Sequence, residues 1–511
     1  MTPSFDPQPE NHSVPGPVQD ALYLTMDQGG HGTRAALYNC RGEKIASARV
    51  DCHTHRPRPG VVEQHADQIL DSFYQCLAQL AEALEDARTQ TIHAAGLACQ
   101  GSTLVCWHRH TGRPLSPVIS WQDCRAADWL RQLAATAPPP LSADTLHNHT
   151  GLRLSPHYGA SKMHWCLQHL PAVSAAAAEG QLVMGPLASF VLHRLTDNAQ
   201  PQIDASHAQR TLLLSLRTGN WHQPLCQTFG INTEWLPHCR PTRFAFGTLT
   251  LGQQSVPVTT CLRDQGASLF AHGRPDRHSA YINLGTGAFL QRLIETTRDA
   301  ALPPAPHGLL LSPLWLSQND QWYSWEGAVN GAGAAIPWLQ QQLQLELPPE
   351  RIQQALQTVS QTPTDKPRHF INSCAGLGSP YWRSDVTPQF SDGLTADEKI
   401  TAWIESLIFL LHTNLQLMQT TTPLRQIRIS GGLSNLDLLC QGLADLTGLP
   451  VQRASDTDST LKGVACLCAD LPASWRSETT ADVFSPHHNP VLTHRYYGWQ
   501  KVMQPYQPIH E

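Results

Sequence analysis

Only six lysines occur in 511 residues, and charged side chains of every kind make up 15% of the chain. With a net charge near −6, the protein offers little to a nucleic acid or an anionic membrane surface. There is no Gly-x-x-x-x-Gly-Lys-Ser/Thr segment, which excludes a P-loop nucleotide site. The fourteen cysteines include no Cys-x-x-Cys, and most sit in apolar runs, as Cys99, Cys106, Cys440 and Cys466 do. Reduced, buried thiols of a cytoplasmic protein are the expectation. No apolar run approaches the length of a membrane span; the longest comparable one, Leu407 to Leu411, belongs to a helical pattern. The 26 histidines include His147-x-His149 and His487-His488 but no His-Glu-x-x-His, so a structural zinc site is not expected. The Pro-, Asn- and Ser-rich start has neither the basic end nor the apolar centre of a signal peptide, and residues 1–19 read as a disordered tail.

What is present points to a large folded protein. An apolar fraction of 41% suits a packed core, and the length implies two domains. The apolar run from Ala21 to Met26 reads as a buried strand ending in Asp27 and a turn holding Gly29, Gly30 and Gly32. Ala35–Tyr38 follows as the return strand, and Lys44–Val50 as a third. Such a turn lets backbone N–H groups approach an anion, with Arg34 beside them and Asp27 placed to hold a cation; an ordinary hairpin turn has the same pattern. Asp67 is placed to cap a helix whose Ile69, Leu70, Phe73, Leu77, Leu80 and Leu84 recur at helical spacing. A strand at Ile92–Ala98 leads to Gln100-Gly101-Ser102-Thr103, and another, from Pro117, ends in Trp121-Gln122-Asp123. Surface loops are expected over 138–160, helices at 161–170 and 185–196, and irregular chain over 200–260. Asp264 and Gln265 fall in a loop after Val256-Pro257-Val258.

At Ala280 the pattern restarts. Tyr281–Leu284, the tight turn Gly285-Thr286-Gly287 and Ala288–Leu290 form a second hairpin. A long helix at about 400–419, a strand at Gln426–Ile429, a Gly431-Gly432 turn opening a helix, and a strand–helix pair to about 470 complete a βαβα tail. A Gly-Gly turn between strand and helix suits an anion or nucleotide, and equally a tight connection alone. Two hairpin-led α/β halves imply duplication with a cleft between them.

In order, these motifs resemble the FGGY carbohydrate kinase family, most closely its glycerol kinase branch. The resemblance runs from about 20 to 470 and takes in Asp27-Gln28-Gly29 with Arg34, Trp121-Gln122-Asp123, Asp264-Gln265, Gly285-Thr286-Gly287, Trp325-Glu326-Gly327 and Gly431-Gly432. It implies an α/β fold of two ribonuclease-H-like domains, shared with heat-shock ATPases and actin, closing over ATP and Mg²⁺. The implied division is 20–273 for the substrate and phosphate side, 278–472 for the nucleotide side, and 473–511 as a tail packing on the second domain. Asp264 would accept the proton of the attacking hydroxyl, and Asp27 would position Mg²⁺. Gly29, Gly30, His31, Thr33, Arg34, Gly285, Thr286 and Gly287 would line the phosphates. Gly333, Gly431, Gly432 and Asn435 would border the adenosine. A small polyol or sugar would lie against Gly101, Ser102, Trp121, His157, Asp264 and Gln265. Dimers or tetramers are common in such kinases, and nothing in the sequence specifies one.

The departures concern the acceptor. Glycerol kinases usually carry hydroxyl residues after Asp-Gln-Gly, where this chain has Gly30, His31 and Gly32, leaving Thr33. Their Arg-Glu pair that grips two glycerol hydroxyls is replaced by Gly101-Ser102, and their tyrosine by His157. Losing that pair would leave room for a longer polyol or a ketose. The altered loop also admits a catalytically weak sugar- or nucleotide-binding sensor. An ATPase of the chaperone or filament kind would need a further module that this chain does not show.

Overall fold

In this computed structural model, residues 21–507 are described apart from 85–90, 137–140, 298–299, 303, 318–320, 362–366, 454–457 and 476–481. The expected tail at 1–19 lies outside them. Two central sheets organise the chain. The first contains β1 (Leu22–Gly29), β2 (Gly32–Asn39), β3 (Lys44–Asp51), β4 (Ile92–Cys99), β5 (Arg243–Leu251) and β6 (Gln254–Arg263) in the order β5-β6-β4-β1-β2-β3. The second contains β7 (Ser279–Leu284), β8 (Ala288–Thr296), β9 (Leu310–Leu316), β10 (Gln321–Val329), β11 (Gln426–Ser430), β12 (Val451–Arg453) and β13 (Asp482–Phe484), ordered β9-β10-β8-β7-β11-β12-β13. Each sheet has an antiparallel hairpin (β1–β2, β7–β8), a parallel neighbour (β4, β11), a further parallel strand (β6, β12) and an antiparallel edge (β5, β13). The duplication expected from the two hairpins is therefore complete at the level of topology, with β9 added at one edge.

Apolar periodicity builds the layers. Helix α1 (Ala66–Ala83) buries Ile69, Leu70, Phe73, Cys76, Leu77 and Leu80, which fall on one helical face, against β2 and β3. Its N-cap is His65, without a side-chain cap, so Asp67 lies in the first turn instead of capping it. Helix α2 (Gly159–His169) follows one at Ala143–Thr150, which replaces the loop expected there. Helix α3 (Asp264–Ser268) is a single turn at the end of β6. Helix α4 (Ala396–Met418) starts four residues before the apolar pattern does, because Thr395 and Glu398 form a capping box. After α5 (Asp437–Thr447), helix α6 (Ser459–Cys468) crosses to the first sheet and packs on β1, β4 and α3. Leu461, Val464 and Ala465 join Tyr23, Leu262, Phe270 and Trp322 in one apolar cluster there, so the halves share a core.

The largest difference from expectation is at 200–260, which holds β5 and β6. Pro257 interrupts the strand pattern, yet it faces Thr248 in the register with β5, and β6 lies inside the sheet beside β4. The segment 473–511 divides its contacts. Helix α7 (Pro490–Met503) packs Tyr496 and Trp499 on Phe409 of α4, whereas Trp475 lies against Tyr23 and donates to the Cys40 carbonyl at 2.7 Å.

Candidate active site

The parallel strands β1, β4 and β6 end side by side, where ligands bind in open α/β sheets. Asp27 pairs with Ala98 and Arg263 with Cys99, so Asp27 and Asp264 flank the end of β4, about 10 Å apart along the sheet. The hairpin after Asp27 has Gly30 and His31 at its tip, with Gly29 opposite Gly32. A Cβ on Gly32 would fall 2.5 Å from the Val50 carbonyl oxygen, so β3 excludes a side chain there; at Gly29 and Gly30 it would make only ordinary contacts, 3.9 Å from the Gly32 carbonyl oxygen and from Gln100 Oε1. His31 is exposed at the tip.

Strand alternation then sorts the neighbours. Asp27 and Arg34 are register partners on one face, and the guanidinium holds Asp27 Oδ2 through Nη2 and through Nε at 3.1 Å. Arg34 also reaches Asp458 at 3.3 Å. Gln28 and Thr33 point to the opposite face. Thr33 is fully buried, bonded to Gln28 Oε1 and Ser72 Oγ at 2.5 Å each, which corrects its assignment to the phosphates: its hydroxyl belongs to the packing of α1. Burial pushes the Asp27 carboxyl up to about 6, against the pull of Arg34 and with added repulsion from Asp264. Its buried Oδ1 has no hydrogen-bond partner.

The ends of β4 and β6 carry the other groups. Asp264, half-buried, opens α3 and accepts from the Gln265 N–H at 2.8 Å; burial raises its carboxyl. Ser102 is buried at a left-handed φ of 60°, with no partner for its Oγ. Lys162 of α2, fully buried, donates to the carbonyls of Ser102 (3.1 Å), Ser120 (2.8 Å) and His157 (2.8 Å), and burial brings its amine down to about 7. One side chain thus ties together the three loops bearing Ser102, Trp121 and His157, a role the sequence does not announce. Trp121 and His157 are half-buried with ring centroids 5.7 Å apart. Asp123 is structural: it holds Arg125 at 2.7–2.8 Å and the Val62 N–H at 2.6 Å, fully buried.

The room expected beside Gly101 is filled. A Cβ there would lie 3.0 Å from Arg263 Cδ and 3.5 Å from Arg210 Cγ. Arg263 and Arg210 both pair with Glu326, Arg263 through Nη2 at 2.5 Å. Burial opposes the Glu326 charge, and the two arginines override it, holding the carboxyl down at about 2. Arg210 and Glu326 meet only across the two halves, so spacing along the chain carries no sign of this cluster.

In the second sheet, Gly285-Thr286-Gly287 joins β7 to β8, with Thr286 exposed. The N–H groups of Gly333 and Ala334 donate to the carbonyls of Gly285 (3.1 Å) and Thr286 (2.8 Å), bringing Gly333 against this turn. β11 runs beside β7, so the Gly431-Gly432 turn opens next to it; Gly431, Gly432 and Asn435 are exposed. Gly431 has φ +93°, and a Cβ there would meet the Leu284 carbonyl oxygen at 2.5 Å.

Among the described residues, Asp204, His207 and Cys261 form a buried group with metal-ligating side chains. Its atoms are already engaged: His207 Nδ1 contacts Asp204 Oδ1 at 2.5 Å, and Nε2 contacts the Cys99 carbonyl oxygen at 3.1 Å. The unpartnered Oδ1 of Asp27, a hard oxygen, suits Mg²⁺ better.

Known proteins resemble this chain over most of its length. The model of the N-terminal domain of the FGGY family of carbohydrate kinases matches residues 22–271, and that of its C-terminal domain matches 280–470. The glycerol kinase of Acinetobacter baylyi is 31% identical over 476 residues, covering 89% of this chain and 93% of the relative. That of Ralstonia nicotianae is 32% identical over 466 residues, covering 89% and 90%. The crystal structure of Plasmodium falciparum glycerol kinase with ADP superposes with a TM-score of 0.83 at 22% identity, covering 95% of this chain and 98% of that one.

Proposed function

The chain belongs to the FGGY family of carbohydrate kinases through both of that family's domains, and from this premise we propose how its own residues move a phosphoryl group. The protein is an enzyme that phosphorylates a hydroxyl of a small polyol or sugar with ATP. The reading of its site rests on one observation: Asp27 and Asp264 flank the end of β4, and Asp27 keeps a buried oxygen without a partner.

Asp264 is the base. The acceptor oxygen forms its bond to the γ-phosphorus, the bond to the β–γ bridging oxygen breaks, ADP leaves with that electron pair, and the hydroxyl proton passes to the Asp264 carboxylate. Burial raises this carboxyl, which strengthens it as a base. Asp27 would hold Mg²⁺ through its free oxygen, directly or through water. When bound, that ion supplies neutralisation of the phosphate charge. Arg34 fixes the Asp27 carboxylate in place through the other oxygen.

The N–H groups of Gly29 and Gly30 from one side and of Gly285–Gly287 from the other line the phosphates, with Thr286 as hydroxyl donor. Gly333, Gly431, Gly432 and Asn435 border the adenosine. The acceptor lies against Trp121, His157, Ser102 and Gln265. No described helix is long and apolar enough to cross a membrane. The fourteen free cysteines, eleven of them buried, suit a reducing cytoplasm where ATP is plentiful. ADP production over a panel of polyols, ketoses and sugar acids, with Asp264→Ala as control, tests the reading. Turnover well above that control on at least one acceptor is expected; none above it on any acceptor would remove the assignment.

A further inference from the structure

The acceptor side of the site is rich in hydrogen-bond donors and short of acceptors. Arg263 occupies the space beside Gly101, with its Cδ 3.0 Å from where a Cβ at 101 would stand. Its guanidinium and that of Arg210 share a single carboxylate, Glu326. Glu326 has no oxygen to spare: Oε2 takes Arg210, and Oε1 takes Arg263 at 2.5 Å, Gln291 Nε2 at 3.2 Å and Ser324 Oγ at 3.2 Å. The pairing thus sets two cations against one anion, and the next carboxylate to act on both arginines is Asp264. The Nε groups of both arginines are buried without a partner, as is Ser102 Oγ. Arg263 is only 4% exposed and Arg210 6%, so solvent does not supply those partners.

This field reaches the acceptor pocket. His157, beside Trp121, is held well below its ordinary value by burial and by Lys162, Arg210 and Arg263, and so is neutral at pH 7. Lys162 is spent on three carbonyls. The remaining carboxylate there is Asp264, which the reaction uses as base. A neutral polyol would meet unsatisfied cationic donors and no carboxylate free to take its hydroxyl hydrogens.

We propose that Arg263, with Arg210 behind it, binds a carboxylate of the acceptor, and that the acceptor is a small polyhydroxy acid of the aldonate class, not a neutral polyol or ketose. This rests on the kinase reading above and names the substrate class of the same site. A guanidinium matches a carboxylate with paired, charge-assisted hydrogen bonds. It also adds a second direct partner for the two arginines that share Glu326. The acid end would lie toward Gly101, leaving a hydroxyl of the other end before Asp264.

The test uses the full-length protein with ATP and Mg²⁺ at fixed ionic strength, and pairs of equal chain length: glycerate with glycerol, erythronate with erythritol, gluconate with glucitol. The best acid should exceed its matched polyol in kcat/KM by about 100-fold or more. Arg263→Met keeps the stem and removes the charge; it should abolish that preference through the KM of the acid, with the KM of ATP unchanged. Arg263→Lys should restore part of it. A polyol equal to or better than its acid overturns the inference while leaving the kinase reading intact, whereas ADP formation with no acceptor above Asp264→Ala overturns both. Should Arg263→Met fail to fold, the wild-type acid-to-polyol ratio alone decides.

Discussion

In the first hairpin Asp27 stands opposite Arg34 across the ladder; at the corresponding place in the second, Asn283 stands opposite Phe289. β4 and its counterpart β11 both run out into glycine turns, at Gly101 and at Gly431-Gly432, while the next parallel strand of the first half, β6, runs out into Arg263 and Asp264. One backbone plan thus provides two turns whose N–H groups face a ligand. Among the described residues, the carboxylates at these strand ends, Asp27 and Asp264, both lie in the first half. Charge is what phosphoryl transfer requires, and bare backbone is sufficient to hold a nucleotide. The strand-end carboxylates carry a thermodynamic mark, since burial opposes the ionised forms of Asp27 and Asp264.

Breaking the strand-end carboxylates should have the largest effect. Asp27→Asn is expected to lower kcat by about 10³-fold, consistent with loss of a metal-holding, charge-neutralising group. The same change should stabilise the free enzyme. Burial holds Asp27 up at about 6, above its unfolded value near 3.9. The folded state therefore keeps a proton between those values that the unfolded chain releases, so the ionised carboxylate costs stability at pH 7 and this cost fades as pH falls through 6 towards 4. Denaturant unfolding should show Asp27→Asn more stable by on the order of 1–3 kcal/mol at pH 7, with the gain vanishing near pH 4.

Glu326 has the opposite sign. The arginines hold it at about 2, so its contribution is present above its unfolded value near 4.3 and lost as pH falls towards 2. Glu326→Gln strands Arg210 and Arg263 and should destabilise the protein by about 3–5 kcal/mol at neutral pH, and by less in acid. At the glycine turns of the second half the sensitive element is backbone. Gly431→Ala forces a Cβ onto the Leu284 carbonyl and should raise the KM for ATP about tenfold while changing kcat little. His31→Thr sharpens the comparison from its weak end. The residue is exposed at the turn tip, so the KM for ATP should move by no more than about threefold; a larger rise would make His31 a phosphate contact.

Much of this division is readable before any coordinates. The order of Asp27, Asp264 and the two glycine turns carries the family, and the hairpin restart at Ala280 carries the duplication. Thr33 is misread when its position next to the turn is weighed without the strand alternation that turns it towards Ser72. Gly101-Ser102 reads as a deletion of substrate-gripping groups, because nothing local indicates that Arg263 fills the space. The Arg210–Glu326–Arg263 cluster and the three-carbonyl anchor of Lys162 are tertiary, assembled from segments with no spacing in common. Strand β6 hides behind Pro257 and a pairing partner in β4 more than 150 residues earlier, as the Val258–Ala95 register shows.

The central claim, that the first half's strand ends perform the chemistry, is met most directly by the single-turnover rate of Asp264→Ala at saturating ATP, Mg²⁺ and acceptor. The account predicts a fall of about 10³-fold, with the affinity for ATP within about twofold of wild type. A rate within tenfold of wild type would contradict it and move the base elsewhere.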